Sequence, residues 1–341
     1  MPAVNTNRPE DERATSLKRL LFVIVAAALA YSGWWIYAAQ SLSSDVEAWF
    51  ADQRADGWEA NYDDLSVRGF PNRTDVILTN PSFAAPDGAF GWSAPFLQML
   101  TLSYRRGHVI IAWPDTQTLM TANGPAEILS QGLRASIVYQ DDVILRSNLE
   151  AEVLNIVVPD QTIALAGVNA AIEKIEPLDA TYRFALALDS VAAPDTPVTG
   201  SLVPDSTGAL RTDATVTLSA PLTNASVTGD LPRLEALEYR NTQGRYGALV
   251  VNSTGEVSFD ASGRARGEIS VVAENWREAL ANAEANGVLP TGASDGMAEI
   301  LGLIASLSGS REALDVTLGL NNGTVLIGPL PVGQIPPLTW P

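Results

Sequence analysis

From Leu20 to Ala39 the chain reads LLFVIVAAALAYSGWWIYAA, twenty residues without a charged side chain. As an α-helix this run rises ~30 Å, the hydrocarbon thickness of a bilayer. A core helix of that length would carry a polar stripe, and here only Ser32 and the tyrosines interrupt the apolar surface. Arg13, Lys18 and Arg19 flank the run on one side, and Asp45 and Glu47 begin the other. The positive-inside rule then makes 1–19 a cytoplasmic tail and 20–39 a transmembrane helix. The remainder falls outside the cytoplasm, as in a single-pass inner-membrane protein with a periplasmic domain. Trp34, Trp35 and Tyr37 lie at the outer end, where an aromatic belt sits among headgroups. The alternative is a cleaved signal peptide ending at Ala28-Leu29-Ala30; the apolar run continues past Ala30 through two tryptophans, which suits an anchor. Both readings export the rest of the chain.

What is exported has the composition of a folded protein, since 46% of residues are hydrophobic and only 18% charged. Residues 1–39 carry four bases and three acids, so of the net charge of −18 the part beyond residue 39 carries −19. A domain so acidic repels phosphate backbones and anionic lipid surfaces at long range, which argues against nucleic acid as a partner. The sequence has no cysteine. Disulfides, thiolate metal sites, thiol nucleophiles and a lipidated cysteine are thereby excluded.

Ser44-Asp-Val-Glu47 fits a capping box, Val46, Trp49 and Phe50 follow at helical spacing, and Gly57 is a natural stop. Residues 40–57 are therefore expected to form an amphipathic helix, led into by the transmembrane helix or continuous with it. From residue 61 the period changes from 3.6 to 2. Leu100, Leu102 and Tyr104 alternate with Thr101 and Ser103; Tyr182, Phe184, Leu186 and Leu188 with Arg183, Ala185, Ala187 and Asp189; Ala214, Val216 and Leu218 with Asp213, Thr215 and Thr217; and Leu314, Val316, Leu318 and Leu320 with Asp315, Thr317 and Gly319. Turn signals separate these runs, among them Gly69-Phe-Pro71, Asn123-Gly124, Ser262-Gly263 and Asn322-Gly323, the last the cleanest hairpin in the chain. No helix-length crossover interrupts residues 61 to about 270, which argues against a parallel α/β fold. Two helices are expected late: one from Trp276 to about Asn286 capped by Asn275, and one capped by Asp295 with Met297, Ile300, Leu301, Ile304 and Leu307 on one face. The fold class is mainly β, a long curved antiparallel sheet forming a groove or sandwich, with a few helices behind one N-terminal transmembrane helix. Residues 58–341 read as one domain with a soft internal boundary near 190–210.

Chemistry is sparse. His108 is the single histidine and sits in Arg105-Arg-Gly-His108, read as a hairpin tip, so a His-dependent triad or imidazole metal site has little to build on. Asp63-Asp64, Asp141-Asp142 and Glu150 with Glu152 form carboxylate pairs, but beside turns or on polar strand faces. Trp92, Trp113 and Trp276 read as core anchors. No catalytic residue, cofactor or metal is expected, and the chain reads as a non-enzyme. Arg68 and Arg73 flank the Gly-Phe-Pro turn, and Arg105 and Arg106 mark another. These arginines are candidates for lipid headgroups or a partner's acidic patch, unless local carboxylates pair them.

The one-faced alternation carries the functional idea, because an apolar face must be buried against something. A second sheet, helices or an apolar ligand are the three options. Small residues such as Ala164, Ala166, Ala185, Ala187 and Ala214 would leave room for a ligand. The lining is then expected from Leu100, Leu102, Tyr104, Tyr182, Phe184, Leu186, Val216 and Leu218.

Several segments also resemble a known family. LSVRGFPNRTDVILTNPSF at 65–83, APFLQMLTLSYRRGHVIIAWP at 94–114, NWREAL at 275–280 and LGLNNGTVLIGPLPVG at 318–333 are similar, in this order, to the envelope family called domain of unknown function 2125. That family brings no activity with it. More distantly, the Gly-Phe-Pro opening and the pattern over Val257–Ile269 and Trp276–Leu280 resemble AsmA-like envelope proteins. That resemblance implies a periplasm-facing, β-rich protein that handles lipid, with membrane lipid as anchor and ligand. The alternative is an interaction scaffold that binds another envelope protein through its acidic face or the 296–307 helix.

Overall fold

A computed structural model of the chain describes residues 8–121, 124–158, 161–192, 208–223, 226, 231–285, 289–290, 292–307 and 313–338. Of the two arrangements expected at the N-terminus the structure has the continuous one, a single helix, α1 (Arg8–Ala55). Ser44–Glu47 therefore lie inside a helix and start none. Gly57 ends it as expected: with φ at 91° it lets Trp58 donate to the Gln53 carbonyl (3.0 Å) while its own N–H meets Arg54 (3.2 Å), the Schellman arrangement.

Everything after α1 is mainly antiparallel β. The first strands are β1 (Glu59–Asn61), β2 (Asp64–Arg68), β3 (Asp75–Thr79), β4 (Ser82–Ala84), β5 (Phe90–Ser93), β6 (Phe96–Leu102) and β7 (Arg105–Ala112). They are followed by β8 (Thr116–Thr121), β9 (Gly124–Gln131), β10 (Arg134–Gln140), β11 (Val143–Val158) and β12 (Gln161–Lys174). Then come β13 (Thr181–Ala192), β14 (Gly208–Leu218), β15 (Leu234–Tyr246), β16 (Leu249–Phe259) and β17 (Ala265–Glu274). After two helices the chain closes with β18 (Ala313–Asn321), β19 (Thr324–Ile327) and β20 (Leu330–Gln334).

The sheet forks at β11. One edge of β11 pairs with β12 along nearly its whole length. The other edge is shared: Val143–Glu150 pairs with β10, and Val153–Val157 pairs with β9. One branch runs β10–β7–β6–β3–β2 and the other β9–β8–β5–β4–β1. From β12 to β20 each strand pairs with the next in sequence. The soft boundary near 190–210 falls partly on 193–207, outside the described residues, and β13 and β14 pair directly across it. Asn322 (φ 52°) and Gly323 (φ 83°) form the two-residue turn of the β18–β19 hairpin. Asp141 and Asp142 are a turn as well, both with positive φ, joining β10 to β11.

The late helices are α2 (Trp276–Ala285) and α3 (Ala293–Leu307). Asn275 donates its side-chain amide to the Ala248 carbonyl (2.9 Å). α3 begins two residues before Asp295, because Glu284 at the end of α2 supplies the cap: its carboxylate accepts from the N–H groups of Gly292 (2.7 Å) and Ser294 (2.9 Å). Those bonds hold the Glu284 carboxyl below the usual carboxylate range, the Gly292 N–H first among them. The expected single apolar face of α3 is split. Ala298 and Leu301 pack inward with buried Ala305, while Met297, Ile300 and Leu303 point outward and are exposed. The side chains of Ile304 and Leu307 lie outside the described atoms.

Candidate functional site

Residues directly opposite one another in antiparallel strands share a face, so the register traces the apolar surface from strand to strand. Met99, Ile111, Ala135, Leu149, Ala170 and Leu186 form one row from β6 to β13. Tyr182, Val216, Leu237 and Val257 form another from β13 to β16, and Val271 with Val316 and Ala273 with Leu314 carry the face to β18. Burial follows the same division: on β11 Ala151 and Val153 are buried, while Arg146, Asn148 and Glu152 on the opposite face are exposed.

The described helices pack on this face at its two ends. In the fork, Val46 and Phe50 of α1 pack with Ala60, Leu78, Leu97 and Met99 from both branches, and Phe50 is 1% exposed. At the far end Trp276, Ala298, Leu301 and Ala305 sit on Val251, Ala273, Leu314 and Val316. Between these caps the face is built of small residues (Ala135, Ala151, Ala164, Ala214) interleaved with half-buried Leu149, Phe184 and Leu186.

The eight expected lining residues do not stay together. Tyr182, Phe184, Leu186, Val216 and Leu218 share the apolar face on β13 and β14. Of these, Tyr182 (0% exposed) and Leu218 (8%) are buried, and Phe184, Leu186 and Val216 are half-buried. The Tyr182 hydroxyl accepts the Leu222 N–H at 2.8 Å, and burial raises its pKa above the usual phenol value. Leu100 lies on the other face, opposite Ile110, in the row Ser136, Asn148, Ala171, Ala185, Asp213. Ala185 and Ala187 share that second face; Ala164, Ala166 and Ala214 are on the first. Leu102 ends β6, paired with Arg105, and Tyr104 belongs to the β6–β7 turn, where it is 75% exposed.

The second face holds a concavity the alternation did not reveal, about 880 Å³ in volume. Leu100, Ile110 and four alanines (112, 171, 185, 187) give it an apolar floor. Arg134 paired to Glu150, and Arg211 paired to Asp189 at 3.2 Å, stand at its rim. The available signal was Ala185 and Ala187 between Phe184, Leu186 and Leu188, since alternation puts them on the face opposite Leu186.

The arginines cluster at a third place. The Gly69–Pro71 turn and the β6–β7 turn lie side by side, joined by Ser103 N–H to the Asn72 carbonyl (2.9 Å), a bridge between Arg73 and Leu102, and the Thr74–Thr101 hydroxyl pair (2.9 Å). α1 is docked against both. Tyr31 donates to the Pro71 carbonyl (2.7 Å) and lies 3.2 Å from the Ser103 hydroxyl, and the Trp35 indole donates to the Arg73 carbonyl (2.8 Å). The Phe70 ring meets Trp35 edge-on at 5.5 Å. Arg73 pairs with Asp75 at 2.7 Å, Arg68 and Arg105 are exposed, and the Arg106 side chain lies outside the described atoms. Gly69 is required here: at φ 104° it approaches Arg73 so closely that a Cβ would lie 2.7 Å from the Arg73 Cβ.

His108 lies on strand β7, within 2.9 Å of the Ser136 hydroxyl, and the tip expected at Arg105–His108 is Ser103–Tyr104 instead. Trp92 donates to Gln117 (2.9 Å) beside Phe83, and Trp276, the first residue of α2, is buried in the cluster with Ala273, Ala305 and Leu314. Among the described residues no three His, Cys, Asp or Glu side chains are grouped to hold a metal ion.

Residues 35–336 match the model of a family described as uncharacterized protein conserved in bacteria, DUF2125. Neither the curated proteins nor the solved structures yield a match.

Proposed function

The chain belongs to the DUF2125 family of bacterial proteins, and from that premise we propose that it is an envelope protein that handles lipid without catalysing a reaction. In this reading α1 holds it in the inner membrane, residues 1–19 remain in the cytoplasm, and the β domain stands in the periplasm. One observation carries the proposal: one sheet face bears apolar rows from β3 to β18, broken where the Leu186 row passes to the hydroxyls of Thr212, Thr242 and Ser253, with helices packed at its two ends and small residues between them. Acyl chains would lie on Phe184, Leu186 and Val216, while Tyr182 and Leu218 belong to the floor beneath. Apolar α1 supplies the anchor, since an 18-residue window within Leu17–Ala55 has mean hydropathy 1.8 and is 0% buried.

Native mass spectrometry of residues 41–341, produced in a bacterial periplasm and purified without detergent, tests this reading together with organic extraction of the same sample. Stoichiometric phospholipid or fatty acid is expected. A mass of protein alone, unchanged after incubation with lipid vesicles, would sink it.

A second reading has its own support. Met297, Ile300 and Leu303 form an exposed apolar stripe on α3. Glu238, Glu256 and Glu268 stand directly opposite one another on β15 to β17. A scaffold that binds another envelope protein would use these surfaces, and its lipid-free mass would accompany a co-purifying partner.

A further inference from the structure

The contacts between α1 and the two turns fix how deep the β domain sits relative to the bilayer. At about 1.5 Å per residue, Tyr31 is ~16 Å along the helix from Leu20, and Ala39 is a further ~12 Å on. If the hydrocarbon begins at Leu20, just past Lys18 and Arg19, its far boundary falls near Ala39, and the turns held by Tyr31 and Trp35 lie inside it. Sliding the bilayer until the turns clear it would draw Lys18 and Arg19 well into hydrocarbon, at ~2.5–3.5 kcal/mol each near the centre. The balanced position lets Lys18 and Arg19 snorkel and sets the far boundary near Trp34 and Trp35, as an aromatic belt would. Every placement from the one that begins at Leu20 to this balanced one puts Phe70, which packs on Trp35, at the boundary or below it.

The turns are built for that depth. Backbone at membrane level must have its polar groups satisfied by protein. Here the Pro71 carbonyl takes the Tyr31 hydroxyl, the Arg73 carbonyl takes the Trp35 indole, the Asn72 carbonyl takes Ser103 N–H, and the Gly69 carbonyl takes Arg73 N–H. Phe70 (53% exposed) and Tyr104 (75%) are the aromatic side chains at the two tips, and beside them stand exposed Asn72 and Arg73, the latter paired with Asp75 at 2.7 Å. Exposed Arg68 and Arg105 flank them in an otherwise acidic domain, where guanidinium groups suit lipid phosphates.

We propose that the Gly69–Pro71 and Ser103–Tyr104 turns insert into the leaflet on the domain's side of the membrane, with Phe70 and Tyr104 in lipid and Arg68 and Arg105 among the phosphates. This rests on the reading that α1 spans the bilayer. The fork end of the apolar face is thereby held at the lipid surface by protein–lipid contacts besides the helix itself.

The chain has no cysteine, so single cysteines report single positions. Full-length Phe70→Cys, Tyr104→Cys, Val25→Cys and Asp87→Cys variants would each carry an environment-sensitive fluorophore in phosphatidylethanolamine–phosphatidylglycerol vesicles with quencher-bearing lipids. Val25 reports the span, and Asp87, exposed in the β4–β5 turn, reports water. Blue-shifted, lipid-quenched emission is expected at 25, 70 and 104 but not at 87. Tyr104→Cys keeps the test valid if Phe70→Cys loosens the packing on Trp35. Lipid contact at 25 with water at 104 would overturn the insertion and leave the span standing. Water at 25 would overturn both. A shift at 104 that disappears as the protein is diluted in lipid would assign the turn to a second copy and also overturn the proposal.

Discussion

The ends and the middle of the apolar face solve the same problem in different ways. At the fork and under α2–α3, aromatic and branched side chains from helix and sheet interlock: Phe50 with Leu78, Trp276 with Leu314. In the middle the same face is made of alanines beside half-buried leucine and phenylalanine. Large side chains at both ends supply packing that needs no ligand. Small ones between them leave apolar surface whose burial is incomplete, and at ~25 cal/mol per Å² such surface favours any acyl chain laid on it. The difference separates residues that hold the fold from residues free to serve a ligand.

The largest expected effect lies at the ends. Phe50→Ala and Trp276→Ala should each cost ~3–5 kcal/mol in denaturant unfolding, because each removes a buried ring from a filled core. Phe184→Ala in the middle should cost clearly less in lipid-free protein; equal losses would show that the middle is core and erase the contrast. Tyr182→Phe tests the floor beneath the middle: it leaves the Leu222 N–H without its acceptor and should cost ~1–3 kcal/mol. A change near zero would mean that water replaces the phenol and that the floor is open. Gly69→Ala should cost ~1–3 kcal/mol through strain at positive φ and the approach to Arg73. Its effect should be confined to faster amide exchange in the two turns, sparing α2 and α3.

The smallest effect is pH-dependent and belongs to the far cap alone. Glu284 has a lowered pKa in the folded protein, so its contribution is fully present above the ordinary carboxylate value of ~4.3 and is lost as pH falls through the lower folded value. Amide exchange in the first turn of α3 should therefore rise as pH drops below that range, after correction for intrinsic rates. Glu284→Gln should abolish that pH dependence, and a dependence that survives would place the cap elsewhere.

Much of the β architecture was legible because period-2 alternation is local: β13, β14 and β18 lie where Tyr182–Leu188, Ala214–Leu218 and Leu314–Leu320 placed them. The Asn322-Gly323 hairpin was legible for the same reason. The fork was not, since nothing in Val143–Val158 says that one edge serves two partners. Leu100 was assigned to the wrong side of what became a two-faced strand: Phe96–Leu102 is half-buried at every position, so alternation there cannot tell inside from outside. α3 misled for a related reason, because apolar residues cover more than one of its faces. The clustered turns depend on pairings as distant in sequence as Arg73 with Leu102 and Tyr31 with Ser103, which no local pattern announces.

The central claim is that one face of the middle sheet meets lipid. Its most direct test is site-specific photocrosslinking in cells, with a photoreactive residue at Leu186 or at its neighbour Ala185, which points to the opposite face. Mass spectrometry of the purified protein should find phospholipid or fatty-acid adducts at position 186 and few at 185. No lipid adduct at 186, or equal labelling at both positions, would contradict the account.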